Sequence, residues 1–158
     1  MPYIIDNALP APLVRQLAAM FYDAFLLLAC WIACGFFFII ISKGEPITSG
    51  ILHYLLQTTM FAVWVMFFVY FWSKQGQTLG MRAWRLVVVD EHGRSLTWRR
   101  ALLRWLWALI TCFIIGIGIW WRFFDTEKRT LYDRLSKTRL YLLQSNPYPL
   151  VKKGKKHV

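Results

Sequence analysis

The sequence predicts an all-α integral membrane protein with two transmembrane helices, a third hydrophobic segment and a small cytoplasmic β-hairpin of short strands. Three observations lead there. Two runs, 17–41 and 51–72, reach or exceed the ~20 apolar residues a helix needs to cross a bilayer. Hydrophobic residues make up 58% of the 158 and aromatics 18%, more than water-soluble domains carry. The 19 Lys and Arg outnumber the 8 Asp and Glu, giving +11, and they gather in the polar stretches. So much apolar surface excludes a disordered chain. Three cysteines are too few for a disulfide scaffold. The length suits one domain over 1–158.

Run 17–41 reads LAAMFYDAFLLLACWIACGFFFIII and holds one charge, Asp23. It is too long for a signal peptide, and the aspartate interrupts the would-be core. Residues 42–50 form a short polar turn. Run 51–72 contains no Asp, Glu, Lys or Arg. The loop 73–100 is polar and basic. Within it Trp84-Arg85-Leu86-Val87-Val88-Val89 has strand chemistry, Asp90-Glu91-His92-Gly93 is a turn candidate, and 94–98 is expected to return as the second hairpin strand.

The third hydrophobic segment, 101–124, carries Arg104 near its start, Arg122 near its end, and Gly116 and Gly118 between. It fits a third span or a re-entrant hairpin bent at 115–118. Charge favours the hairpin, because cytoplasmic loops collect Lys and Arg. Seven cations lie within 74–104 and ten within 122–158. If the segment turns back, every basic residue except Lys43 faces the cytoplasm, with both termini inside. Irregular backbone at that depth must be buried in protein or meet water, so the hairpin is expected to pack on the spans. The alternative is three full spans.

Beyond it, Thr130-Leu131-Tyr132-Asp133 has the spacing of a helix cap. Thr138-Arg139-Leu140-Tyr141-Leu142-Leu143 reads as a strand, a candidate partner for the hairpin. Ser145-Asn146-Pro147-Tyr148-Pro149 is extended linker, and 144–158 ends in a basic tail with Lys152, Lys153, Lys155 and Lys156.

Four stretches, in order, resemble the RDD family of bacterial membrane proteins. They are Arg15-Gln16-Leu17-Ala18-Ala19-Met20-Phe21-Tyr22-Asp23, Gly76-Gln77-Thr78-Leu79-Gly80-Met81-Arg82, Arg99-Arg100-Ala101-Leu102-Leu103-Arg104, and Asp125 with Lys128-Arg129-Thr130-Leu131-Tyr132-Asp133-Arg134-Leu135. The resemblance implies that the arginine and two aspartates behind the family name correspond to Arg15, Asp23 and Asp133. Met81 stands where Lys is common and Tyr132 where His is common. The first departure removes a phosphate or lipid contact from that position. The resemblance further implies transport, with some members looking like sodium/proton antiporters.

Asp23 is the most informative residue, because an ionisable group inside a span marks a functional-site hypothesis by default. It lies eight residues after Arg15, ~12 Å along a helix. It can carry a cation or proton, or form a structural ion pair, with Arg104 as the natural partner at similar depth. Asp133 is expected to cap its helix, or to bond Arg82, Arg85 or Arg104. Arg82, Arg85 and the four tail lysines are expected to contact anionic headgroups, at about 1 kcal/mol each. Cys30, Cys34 and Cys112 read as packing residues, and His53, His92 and His157 share no metal-ligand spacing. No GxSxG, HExxH or P-loop is present. The expectation is therefore a non-enzyme without cofactor or metal. Because the basic residues are juxtamembrane, anionic lipid accounts for them and nucleic acid is not a partner.

Two functions follow. One is an accessory or scaffold component of the bacterial cytoplasmic (inner) membrane, multi-pass, binding other membrane proteins, further copies of itself or anionic lipid. The other is an oligomeric ion or solute transporter using Asp23.

Overall fold

The computed structural model describes residues 9–113 and 117–143. It is mostly helical, with two candidate membrane-spanning helices and a small antiparallel sheet. Strand β1 (Leu9–Pro10) leads through Ala11 and Pro12 into α1 (Leu13–Ile41). Pro12 holds the extended conformation at the N-cap, with φ −62° and ψ 142°. The helix therefore starts four residues before the apolar run. It ends where Ser42 and Gly44 donate back to Phe38 and Ile39 at 3.0 Å each, with Lys43 and Gly44 in the left-handed region. Helix α2 (Gly50–Gln75) returns and stops at Gly76, whose φ of 63° suits a residue without a Cβ.

Both helices are long and apolar enough to cross a membrane, and only 11% of each one's most apolar window is buried. A core helix of a water-soluble protein would be buried instead. Phe21, Phe25, Phe36, Phe37 and Phe61 all face outward. Exposed apolar surface on this scale marks contact with lipid or protein.

The 73–100 loop contains an unforeseen short helix, α3 (Leu79–Ala83), capped by the Thr78 hydroxyl, which accepts from the Met81 N–H. Strand β2 (Leu86–Asp90) follows and is buried throughout. The expected return strand at 94–98 does not form. Asp90 instead accepts N–H bonds from His92 (2.9 Å) and Arg94 (2.8 Å), closing a tight turn. Trp98 then begins α4 (Trp98–Phe113). The partner of β2 is β3 (Thr138–Leu142), in antiparallel register with Val88 opposite Leu140, and β1 flanks β3 on its other edge, giving the order β1-β3-β2.

The third hydrophobic segment folds back. After α4 come α5 (Ile117–Trp120) and a 3-10 turn (Trp121–Phe123). Gly118 lies so close to Thr111 that a Cβ would meet its Cβ at 2.9 Å. Residues seven apart on one continuous helix would be separated by ~10 Å. Arg122 bonds the Ala11 carbonyl, at the same end of the bundle where α4 began. Of the bend expected at 115–118, residues 115 and 116 lie outside the described residues, as do the 145–149 linker and the tail lysines Lys152, Lys153, Lys155 and Lys156.

Helix α6 (Leu131–Leu135) starts at the Thr130 cap. The core lies where the ends of α1, α2 and α4 meet α3 and the sheet. It is built from Ala19, Trp72, Met81, Leu86, Val88 and Trp105 with their neighbours.

Candidate functional site

Two polar knots tie the helices to this end cap. The first is centred on Asp23, 3% exposed on the buried face of α1 that also carries Gln16, Ala19 and Leu27. This spacing of three and four places them on one helical stripe. Thr78 donates its hydroxyl to Asp23 Oδ2 at 2.5 Å, and the Gly80 N–H donates to Oδ1 at 2.9 Å. One carboxylate thus satisfies the first turn of α3. Gly80 is required here, because a Cβ would collide with the Ala19 carbonyl and reach Asp23 Oδ1 at 2.8 Å. Gln77 completes the motif by donating to the Leu86 carbonyl at 2.6 Å.

The second knot centres on Arg104 and Asp133, with side chains 4% and 3% exposed. The guanidinium donates to Asp133 Oδ1 and, at 2.6 Å, to Thr138 Oγ1 on β3. It lies over the rings of Trp72 (4.9 Å) and Tyr132 (5.1 Å), which supply cation–π attraction. Asp133 Oδ2 accepts from Thr130 at 2.6 Å. Asp133 therefore both engages the cap of α6 and pairs with Arg104. The Asp23–Arg104 pairing expected from depth is not formed. Asp23 finds neutral donors at the start of α3, and Arg104 turns toward α6 and β3.

The knots are linked through Gln16. Its amide donates to the Tyr132 hydroxyl at 2.9 Å, and its carbonyl accepts from Arg122 at 3.2 Å. Burial pushes the Tyr132 phenol above its ordinary range, while the nearby Arg104 cation draws it the other way. No sequence pattern pairs Gln16 with Arg122 or with Tyr132. Arg122 was visible as a charge ending an apolar run, but nothing in the sequence named its acceptors. Arg15 is half-buried in the first turn of α1, Arg82 half-buried on α3, and Arg85 exposed just before β2.

Between the knots and the helices is a cavity of about 440 Å³. Asp23, Arg104, Gln16 and Tyr132 contribute to its lining, together with Trp64, Phe68 and Leu109. Among the described residues, no group of three or more His, Cys, Asp or Glu side chains could hold a metal ion. Chemically, the arrangement offers bonded carboxylates and cations beside a largely apolar space.

No curated protein and no solved structure matches the chain. The RDD family model matches residues 10–137, most of the length. That span takes in Arg15, the Asp23 knot, the α3 motif and the Arg104–Asp133 pair, and the chain belongs to the RDD family.

Proposed function

We propose that this RDD-family chain is a multi-pass protein of the bacterial cytoplasmic membrane, with both termini inside. It serves as an accessory scaffold, holding membrane-protein partners on its exposed spans and anionic lipid on its basic cytoplasmic face. One observation carries the reading. Asp23, Arg104 and Asp133 are all engaged in internal bonds that join α1 to α3 and α4 to α6 and β3. They build a rigid platform, which is the work of a scaffold. Asp23 is committed to the Thr78 hydroxyl and the Gly80 N–H, bonds that serve to hold α3 on α1. The position of the cap supports the orientation. It gathers the basic loop 73–100 and the Asp125–Leu135 region at the end of the bundle where α1 starts, the arrangement the positive-inside rule favours.

The test is photocrosslinking in native membranes from Phe36 and Phe61, two exposed span positions. Discrete adducts heavier than a homodimer are expected, and yields of free monomer alone would overturn the scaffold reading. A second reading, cation or proton exchange, is favoured by one observation: Asp23 borders the cavity. Proteoliposomes separate the two. Sodium/proton exchange by the wild type that disappears in Asp23→Asn would replace the scaffold with a transporter.

A further inference from the structure

We propose that the cavity between α1, α2 and α4 is a receptor for one hydrocarbon tail of a membrane lipid, entering sideways through the seam between α1 and α4. The inference rests on the membrane reading above and adds a ligand and a route.

The walls come first. Helix α2 packs closely on both α1 and α4, whereas the backbones of α1 and α4 stand further apart. They face each other across the cavity. Leu27 lines one side, Trp105 and Leu109 the other, and Trp64 and Phe68 form the back. Trp64 and Trp105 meet edge to face at 5.2 Å, which fixes the shape of that wall. At about 440 Å³ the space falls within the range of ligand pockets, ~300–1,000 Å³.

The opening comes next. Met20 and Ala24 border the cavity and are also exposed, so the lip lies on the outward face of α1. Around them stand exposed Phe21, Phe25 and Leu28. The inner end is closed. Met81, Leu86, Arg104 and Tyr132 are all buried there, and the cap covers them. The cavity therefore opens toward the apolar belt and ends blindly beneath the cap.

The occupant follows from these two facts. Water is a poor filler of a recess whose lining is largely apolar and offers few polar partners. A second copy's helix is too wide, since a cylinder of 10–12 Å diameter fills this volume in about one turn. The solvent at the lip is the bilayer interior, and a flexible tail is the component of it that fits a narrow, blind, apolar recess.

The experiment uses the full chain in nanodiscs made with a phospholipid carrying a diazirine in its acyl tail. After irradiation, adducts are mapped by peptide. The expected result is adducts on 20–27 and 105–112 at the cavity, together with adducts on 36–41 of the outer face of α1. Ala24→Trp, which plugs the exposed lip, is expected to lower the cavity adducts about tenfold and leave those at 36–41 unchanged. Ala108→Phe, filling the wall, is a second plug in case the first perturbs folding. Cavity adducts that survive both plugs, or their absence while 36–41 is labelled, would overturn this proposal alone. Missing label at 36–41 as well would overturn the membrane reading beneath it. Crosslinks from Cys112 on the α4 wall to a second copy would show self-association in place of a lipid tail.

Discussion

Breaking the Arg104–Asp133 pair is expected to be severe, and removing both charges less so. The pair is almost fully withdrawn from solvent, with side chains 4% and 3% exposed. Removing one partner leaves an uncompensated buried charge, at about 3–5 kcal/mol. Asp133→Asn strands the Arg104 guanidinium, and Arg104→Met strands the carboxylate. For a chain of this length each kcal/mol moves Tm by about 2–4 °C, so either single variant is expected to melt roughly 6–20 °C lower. The double variant leaves no lone charge, and its loss is expected to fall short of the sum by up to about 3 kcal/mol. The assay is thermal unfolding of all four species in one detergent, followed by helical circular dichroism. Single variants within about 0.5 kcal/mol of wild type, as for exposed sites, would refute the reasoning. Strictly additive losses would refute it as well.

Two glycines of the described chain make a matched comparison. Gly80→Ala drives a Cβ into the Ala19 carbonyl and is expected to destabilise by about 1–3 kcal/mol; Gly35→Ala meets nothing within 4 Å and is expected to stabilise α1 by up to about 1 kcal/mol. Melting curves of the two variants check this, and similar behaviour would be inconsistent with the Gly80–Asp23 clamp. Acid sensitivity is expected at Asp90. Burial alone would raise its carboxyl, but the Arg94 and His92 N–H groups and the Arg100 cation outweigh that and hold it below the usual 3.8. With the folded value below the unfolded one, the stabilisation is present above pH 3.8 and is lost as pH falls through the folded value. Asp90→Asn is expected to flatten that acid limb in a pH–melting series.

The two long helices were legible because each is apolar on every face, a signal that needs no partner. Thr130 announced α6 through the spacing of its cap. The strand at 138–142 was visible from composition, and so was most of β2. What failed was the local hairpin, not the pairing of the 138–142 strand with β2. Residues 94–98 looked like the return strand because a local hairpin is the shortest connection, yet β2 pairs with a strand some fifty residues later. Helix α3 was hidden because a five-residue helix containing glycine has little intrinsic preference, and the Asp23 carboxylate and the Thr78 cap help hold its first turn. The partner of Asp23 was missed for a related reason. Charge complementarity draws attention to arginines, but a buried carboxylate is equally content with a hydroxyl and a backbone N–H, and those leave no mark in a charge pattern.

The sheet order β1-β3-β2 has a consequence for biogenesis. Its middle strand is the last of the three to leave the ribosome, and the same late segment delivers Asp133 and Thr138 to Arg104. Until then the nascent protein carries two unmatched strand edges and an unpaired guanidinium, so a product truncated before residue 133 lacks the segment that closes both.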